Sequence, residues 1–388
     1  MYAAFLFSLG SILLTADSSM HERPVESVRY KPGQGLLVES ADGDFSLLTR
    51  LRAQMLYSLD KSDEWTQAFE IRRARLLFSG TVFGQHNKYK FELAVSPKDI
   101  GLEVGQGLTR SPLLDWYFVF DHLRDATIQM GQFKVPYSRQ RVVSSGALQM
   151  VDRSVVNQEF NLDRDLGINV QSANLFGLDL FRYWAGVHMG EGHSSHTKGD
   201  FGMMYLGRIE YLPLGLFSDY SESSFHKEST PKVSIGLGYG LVEEAKGNRG
   251  ILGPVPSDGG TTDTQNVTAD LSFRYSALSL ESAYFWRKGT RNPGAVVPIE
   301  AARDGSGFYV QSGYFVFSKT ELVTRYGQII PASRESSLNE RSELGLSVNH
   351  YFAEHAMKIQ GDIHQFWGGV QEFENGDTLM RVQLQVAY

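Results

Sequence analysis

The sequence predicts an all-β chain: a transmembrane antiparallel β-barrel of about 16 strands with one long loop folded inward. Three observations carry that expectation. Apolar and polar residues alternate over most of the chain, and aromatic residues gather at the ends of the alternating runs. After Val135 the alternation stops for about 30 residues.

The N-terminus reads as an export signal, 1–16. Ala3 to Leu14 is an apolar run too short to span a bilayer comfortably, and Leu14-Thr15-Ala16 offers a small residue for cleavage before Asp17. The residues ahead of the run include no Lys or Arg, so only the terminal amine is positive there. A short periplasmic segment, 17–43, precedes the barrel, 44–388.

In the first strand Phe45, Leu47, Leu51, Ala53, Met55 and Tyr57 share a face, with Arg50, Arg52 and Gln54 opposite. In the second, Ala74, Leu76, Phe78 and Val82 oppose Arg73, Arg75, Ser79 and Thr81. The same test places strands near 87–96, 112–121, 125–134, 164–174, 178–189, 202–212 and 231–242. It continues at 265–275, 278–288, 306–317, 319–330, 340–351, 355–367 and 378–388. In the last of these Met380, Val382, Leu384, Val386 and Tyr388 oppose Arg381, Gln383 and Gln385, and a terminal aromatic suits recognition by the outer-membrane assembly machinery.

Tyr57, Tyr89, Trp116, Phe120, Tyr211, Tyr275, Tyr284, Trp286 and Tyr351 are assigned to the apolar faces, as girdles at the two lipid interfaces. The opposite faces mix Arg, Lys, Glu, Asp and Gln, which suits a wet lumen, and closure satisfies every backbone group in lipid. Connections are expected to alternate between tight periplasmic turns and long outer loops, the latter including Glu243 to Gln265, 288–305 and 331–340.

Several classes are excluded or disfavoured. Beyond the signal there is no apolar run of about 20 residues for a helical span. The absence of cysteine removes disulfides and thiolate metal sites, and a net charge of -7 argues against a nucleic-acid binder. His188, His193 and His196, near Glu191 and Asp200, form the one imidazole cluster, but a Gly/Ser-rich loop does not force ligands to converge. Gly236, Gly238 and Gly240 lie in an alternating strand and read as close packing or curvature. No nucleophile sits beside a base in a recognisable arrangement, so neither catalysis nor any cofactor or metal is expected.

The non-alternating stretch reads KVPYSRQRVVSSGALQMVDRSVVNQEFNLDRD and carries Lys134, Arg139, Arg141, Arg153 and Arg164 against Asp152, Glu159, Asp163 and Asp165. GQFKVPYSRQRVVSSGALQMVDRSVV from Gly131, followed by Arg164-Asp165-Leu166-Gly167, resembles the loop-containing core of the phosphate-selective porin O and P family. YKPGQGLLVESADGDFSLLTRLRAQ from Tyr30 and FEIRRARLLFSG from Phe69 agree with it. The resemblance implies a trimeric porin that conducts phosphate-like anions past an arginine ladder and a basic constriction loop. Residue by residue it points to Arg50, Arg52, Arg73 and Arg75 on the wall, Lys134 at the strand end, and Arg139, Arg141 and Arg153 in the loop. No equivalent of the family's central phosphate-gripping lysine is found, Arg139 and Arg141 being the nearest cations, so broader anion or solute passage fits as well. Two alternatives stay open: the wall arginines bracing Glu70, Glu92 and Asp115, and the loop arginines anchoring the loop. A structural, adhesin or receptor barrel without an open pore is the other functional class.

Overall fold

The computed structural model describes residues 25–31, 33–103, 107–108, 111–193, 202–369 and 374–388; the expected signal, His196 and Asp200 lie outside them. A hairpin of β1 (Val25–Lys31) and β2 (Gly35–Ser40) leads into β3 (Ser46–Lys61), β4 (Trp65–Thr81) and β5 (Asn87–Ala94). After a short helix α1 (Pro97–Ile100) come a small ribbon, β6 (Leu102–Glu103) and β7 (Gly107–Leu108), then β8 (Leu113–Phe120) and β9 (Thr127–Lys134). Helices α2 (Arg139–Val142) and α3 (Val155–Phe160) interrupt the strands before β10 (Arg164–Ser172), β11 (Phe181–His188) and β12 (Met204–Tyr211). The wall continues with β13 (Lys232–Ala245), β14 (Thr261–Tyr275), β15 (Leu278–Asn292) and β16 (Gly305–Phe317). It ends with β17 (Thr320–Pro331), β18 (Arg341–Ala353), β19 (Met357–Trp367) and β20 (Asp377–Ala387).

Sixteen of these strands, β3 to β5 and β8 to β20, pair antiparallel with their sequence neighbours, and β20 returns to β3 from Thr378↔Lys61 to Ala387↔Arg52. The barrel is closed, as the alternation predicts. Where β20 ends, β2 takes over the edge of β3 (Leu36↔Thr49 to Glu39↔Ser46), so the N-terminal hairpin extends the wall.

The faces follow parity. On β14 Thr264, Asn266, Thr268, Asp270 and Arg274 are buried inside, while outward Leu344, Leu346 and Val348 of β18 are exposed to the lipid side. Trp116, Tyr211, Tyr275 and Tyr284 are exposed on the outside as expected. Tyr351 is not. It shares parity with Ser347 and Asn349, is 2% exposed, and its hydroxyl donates to Glu321 at 2.6 Å inside the barrel. Parity outranks aromatic character there.

Both described ends of the barrel chain lie at the end with short turns, which faces the periplasm in such barrels. Most connections there span two to eight residues, but 212–231 runs for twenty. This corrects the expectation of tight turns at that end. The segment folds into the lumen, where Asp219, Glu222, Ser223 and Ser224 are all 4% exposed or less. It meets the 135–163 loop, which enters from the opposite end: Glu222 N–H donates to the Ala147 carbonyl, and the Gln149 N–H donates to the Glu222 carboxylate at 2.8 Å.

The loop is held locally by caps, with Ser138 Oγ accepting from Arg141 N–H and Ser154 Oγ from Asn157 N–H. Its apolar side (Val135, Tyr137, Val156, Phe160, Leu162) packs on inward Met204, Val242, Phe285 and Ile329, giving the barrel a hydrophobic core on the β12–β17 side. Gly238 permits this approach: a Cβ there would lie 3.1 Å from the Tyr137 carbonyl oxygen and 2.9 Å from Thr268.

Candidate pore cavity and constriction

Beside the folded-in segments, open space lies along β3 to β11. A cavity of about 1050 Å³ opens there, near the turn Ala353–Ala356 and the end of β20. Its charged lining comprises Arg50, Arg52, Arg75, Lys90 and Lys134 against Glu92, Asp115 and Glu354.

Strand parity brings the first cations in. Arg50 and Arg52 are successive inward residues of β3, opposite Leu77 and Arg75 of β4. Arg50 makes no ion pair or hydrogen bond among the described residues. Arg52 donates to Ser144 Oγ at 2.8 Å and Ser145 Oγ at 3.0 Å, and its Nε is buried without an acceptor. Among the described residues neither has a carboxylate within ion-pair distance. Arg75 is spoken for: its Nε lies 2.7 Å from Asp99 and its NH1 3.2 Å from Glu92. Lys90 bridges Glu92 at 3.0 Å and Asp115 at 2.6 Å.

A bulge between Gln54 and Met55 makes Arg72 an extra residue of β4. Arg72 and Arg73 therefore both reach Asp152 of the loop, at 3.1 and 2.9 Å, and Arg381 of β20 joins them at 2.8 Å. Burial alone would raise the Asp152 carboxyl pKa, but the three guanidinium groups outweigh it and hold the group well below the usual carboxylate range. Strict alternation hides Arg72 and Arg381 has no local motif; a run of three basic residues around a bulge was the available signal.

The remaining predicted residues organise the loop. Arg139, 2% exposed, contacts Asp270 at 2.8 Å, Asp219 at 2.5 Å and Glu210 at 3.0 Å. Arg141 pairs with Asp163. Arg153 donates to the Gln140 and Val143 carbonyls at 2.7 and 2.6 Å, closing the C-terminal end of α2. Lys134 donates to the Val142 and Val143 carbonyls at 3.1 and 3.2 Å while lining the cavity. The structure thus brings Arg50, Arg52, Arg75 and Lys134 to one cavity, and sets Arg73, Arg139, Arg141 and Arg153 into the loop's anchoring contacts. Of the imidazole cluster, His188 is buried against Asn169 and Phe133, and His193 bonds the Leu113 carbonyl.

A family model described as phosphate-selective porin O and P matches residues 49–360. An uncharacterized protein of Aquifex aeolicus (strain VF5) is 21% identical over 291 residues, covering 70% of this chain and 66% of that protein, just under two thirds of its length. Among solved structures, an anion-selective porin from Comamonas acidovorans superposes with a TM-score of 0.57 at 14% identity, covering 88% of this chain and 99% of that one. Salmonella typhi OmpF in complex with daunomycin gives 0.58 at 11% identity, covering 93% and 100%. The trimer form of OmpT, an outer membrane protein of Vibrio cholerae, gives 0.53 at 12%, covering 88% and 99%. At these identities the likeness shows the barrel fold.

Proposed function

The chain belongs to the phosphate-selective porin O and P family, its fold and family are those of an outer-membrane channel, and on that premise we propose that it passes small hydrophilic anions through the β3–β11 cavity. The observation that carries the anion preference is the state of Arg50 and Arg52, two adjacent lumen cations without a carboxylate partner among the described residues. Fixed positive charge in a narrow passage raises the local anion concentration and repels cations. Arg75 and Lys134 add to the same wall, whereas Arg73, Arg139, Arg141 and Arg153 set the shape of the constriction. Phosphate-like anions are the solutes this lining suits, with no catalytic step. A homotrimer in outer-membrane lipid, inserted by the assembly machinery through β20, is part of the same reading, supported by the family and by a similar barrel described in trimer form. The two inward segments favour one rival reading, a plugged receptor or adhesin barrel.

The test is single-channel recording of the refolded barrel across a KCl gradient. A reversal potential of anionic sign is expected, with phosphate reducing the chloride current. Replacing Arg50 and Arg52 together by Ala is expected to lower the anion-to-cation permeability ratio roughly tenfold. A parent that already prefers cations would refute the anion reading, and a verified fold without conductance would favour the plugged barrel.

A further inference from the structure

The cavity has two chemically different walls, and one of them is rich in aromatic rings and amides. Across from β3 to β5, the lining from β8 to β11 holds Tyr117, Gln129, Phe133, Gln171 and Trp184 between the charged residues Asp115 and Lys134. The five uncharged residues are aromatic rings and amides, a lining that inorganic phosphate does not need. Tyr117 and Phe133 meet edge to face, with centroids 5.8 Å apart. Gly131, directly opposite Tyr117, has φ 129° and no side chain to obstruct that ring. Trp184 pairs across the strands with Gln171, whose Oε1 is buried without a donor. Neither the Trp184 indole N–H nor the Tyr117 hydroxyl has a hydrogen-bond partner among the described residues. Phe133 is buried and Lys90 lies over the Tyr117 ring, with Nζ 5.8 Å from its centroid, so Trp184 is the freest π surface of the wall, beside unspent polar atoms.

We propose that this cavity binds organic anions in which a carboxylate is attached to a flat ring, aromatic carboxylates, in preference to acetate or inorganic phosphate. The proposal deepens the anion-porin reading and rests on it: Arg50 and Arg52 take the carboxylate, while Trp184 and Tyr117 take the ring. Guanidinium groups suit planar carboxylates, and aromatic side chains add affinity for a ring through stacking and edge contacts. Amides at Gln129 and Gln171 hydrogen-bond ring substituents. A volume of about 1050 Å³ admits such a molecule.

The experiment is calorimetric titration of the folded full-length barrel in detergent with benzoate, acetate and inorganic phosphate, paired with KCl-gradient recordings. Benzoate is expected to bind about tenfold more tightly than acetate or phosphate. Trp184→Ala should reduce that advantage to within about twofold, and Trp184→Phe should retain most of it. Equal binding of benzoate and acetate by the parent would overturn the proposal, as would an advantage that survives Trp184→Ala combined with Tyr117→Ala. Should the benzoate advantage be missing while KCl currents stay anion-selective, this proposal alone fails. Should the currents prefer cations, the anion-porin reading fails and this one falls with it.

Discussion

The lumen side of β12 to β19, with the loop packed on it, and the first wall strand, β3, both present arginines to the interior, yet Arg139 and Arg50 stand in opposite surroundings. On the first side Arg139 touches three carboxylates, and Arg208 bridges Glu210 and Asp270 at 2.8 and 2.7 Å, all of them nearly inaccessible to water. On the second, Arg50 has no ion-pair or hydrogen-bond partner among the described residues and Arg52 holds two hydroxyls. The difference teaches that the presence of a cation in a barrel interior says little about solute contact. What matters is whether folded-in chain supplies its counter-charge. Asp219 from 212–231 does so for Arg139 and Arg182, and Asp152 from the loop for Arg72, Arg73 and Arg381, whereas neither segment brings a carboxylate to Arg50 or Arg52 among the described residues.

The comparison breaks hardest at Arg139. Arg139→Ala leaves Asp219, Asp270 and Glu210 with less compensation in a buried site, and losing one partner of a buried ionic cluster costs about 3–5 kcal/mol. Thermal unfolding of the detergent-folded barrel should report a lower midpoint, and a released loop should raise single-channel conductance. Unchanged stability would mean that the folded-in segments are not held by this lattice. Asp152→Asn is next, at about 1.5–3 kcal/mol, because an amide replaces a carboxylate accepting charged hydrogen bonds from three arginines. The same anchor predicts a pH window. Since the folded carboxyl titrates below its ordinary value of about 3.9, its contribution is fully present above that pH and fades as pH falls through the lower folded value. Loop-opening noise in the current should be absent between pH 7 and about 4 and appear only below.

How far the sequence foretold this depends on which physical signal each part leaves. Lipid outside and polar groups inside impose a period of two, so all sixteen wall strands were legible. The largest end errors are at β14, which starts at Thr261 rather than 265, and β15, which runs to Asn292 rather than 288. These ends have polar residues on both faces, so alternation fades before pairing does. Arg50 and Arg52 were legible by parity. Arg72 was not, because a bulge breaks the period. Nor was the pairing of Arg139, whose partners Asp219 and Asp270 lie 80 and 131 positions away. The segment 212–231 looks like polar surface chain because its buried groups find polar partners in the other loop; only its length, at the end where turns are short, set it apart.

A smaller effect sharpens the packing side of the comparison. Gly238→Val places a branched side chain where a Cβ already lies 2.9 Å from Thr268 and 3.1 Å from the Tyr137 carbonyl. Overpacking of this kind costs about 1–3 kcal/mol and should push the loop toward the open side, lowering conductance. A barrel with unaltered conductance and melting would show that the loop does not rest on β13 at this point.

The smallest expected effect on stability is at Arg50. Arg50→Ala removes a full charge, as Arg139→Ala does, but no carboxylate is left uncompensated and no hydrogen bond is lost. Its neighbours Arg52 and Arg75 are also cationic, so removing it relieves like-charge repulsion as much as it sacrifices packing of the side chain's stem on Leu48 and Leu77. Melting should stay within about 0.5 kcal/mol of the parent. The reversal potential should nonetheless move toward the cation side, by more than Arg139→Ala moves it per charge removed. A shift in melting as large as that of Arg139→Ala would place Arg50 in the load-carrying lattice after all, and the two surroundings would no longer differ in kind.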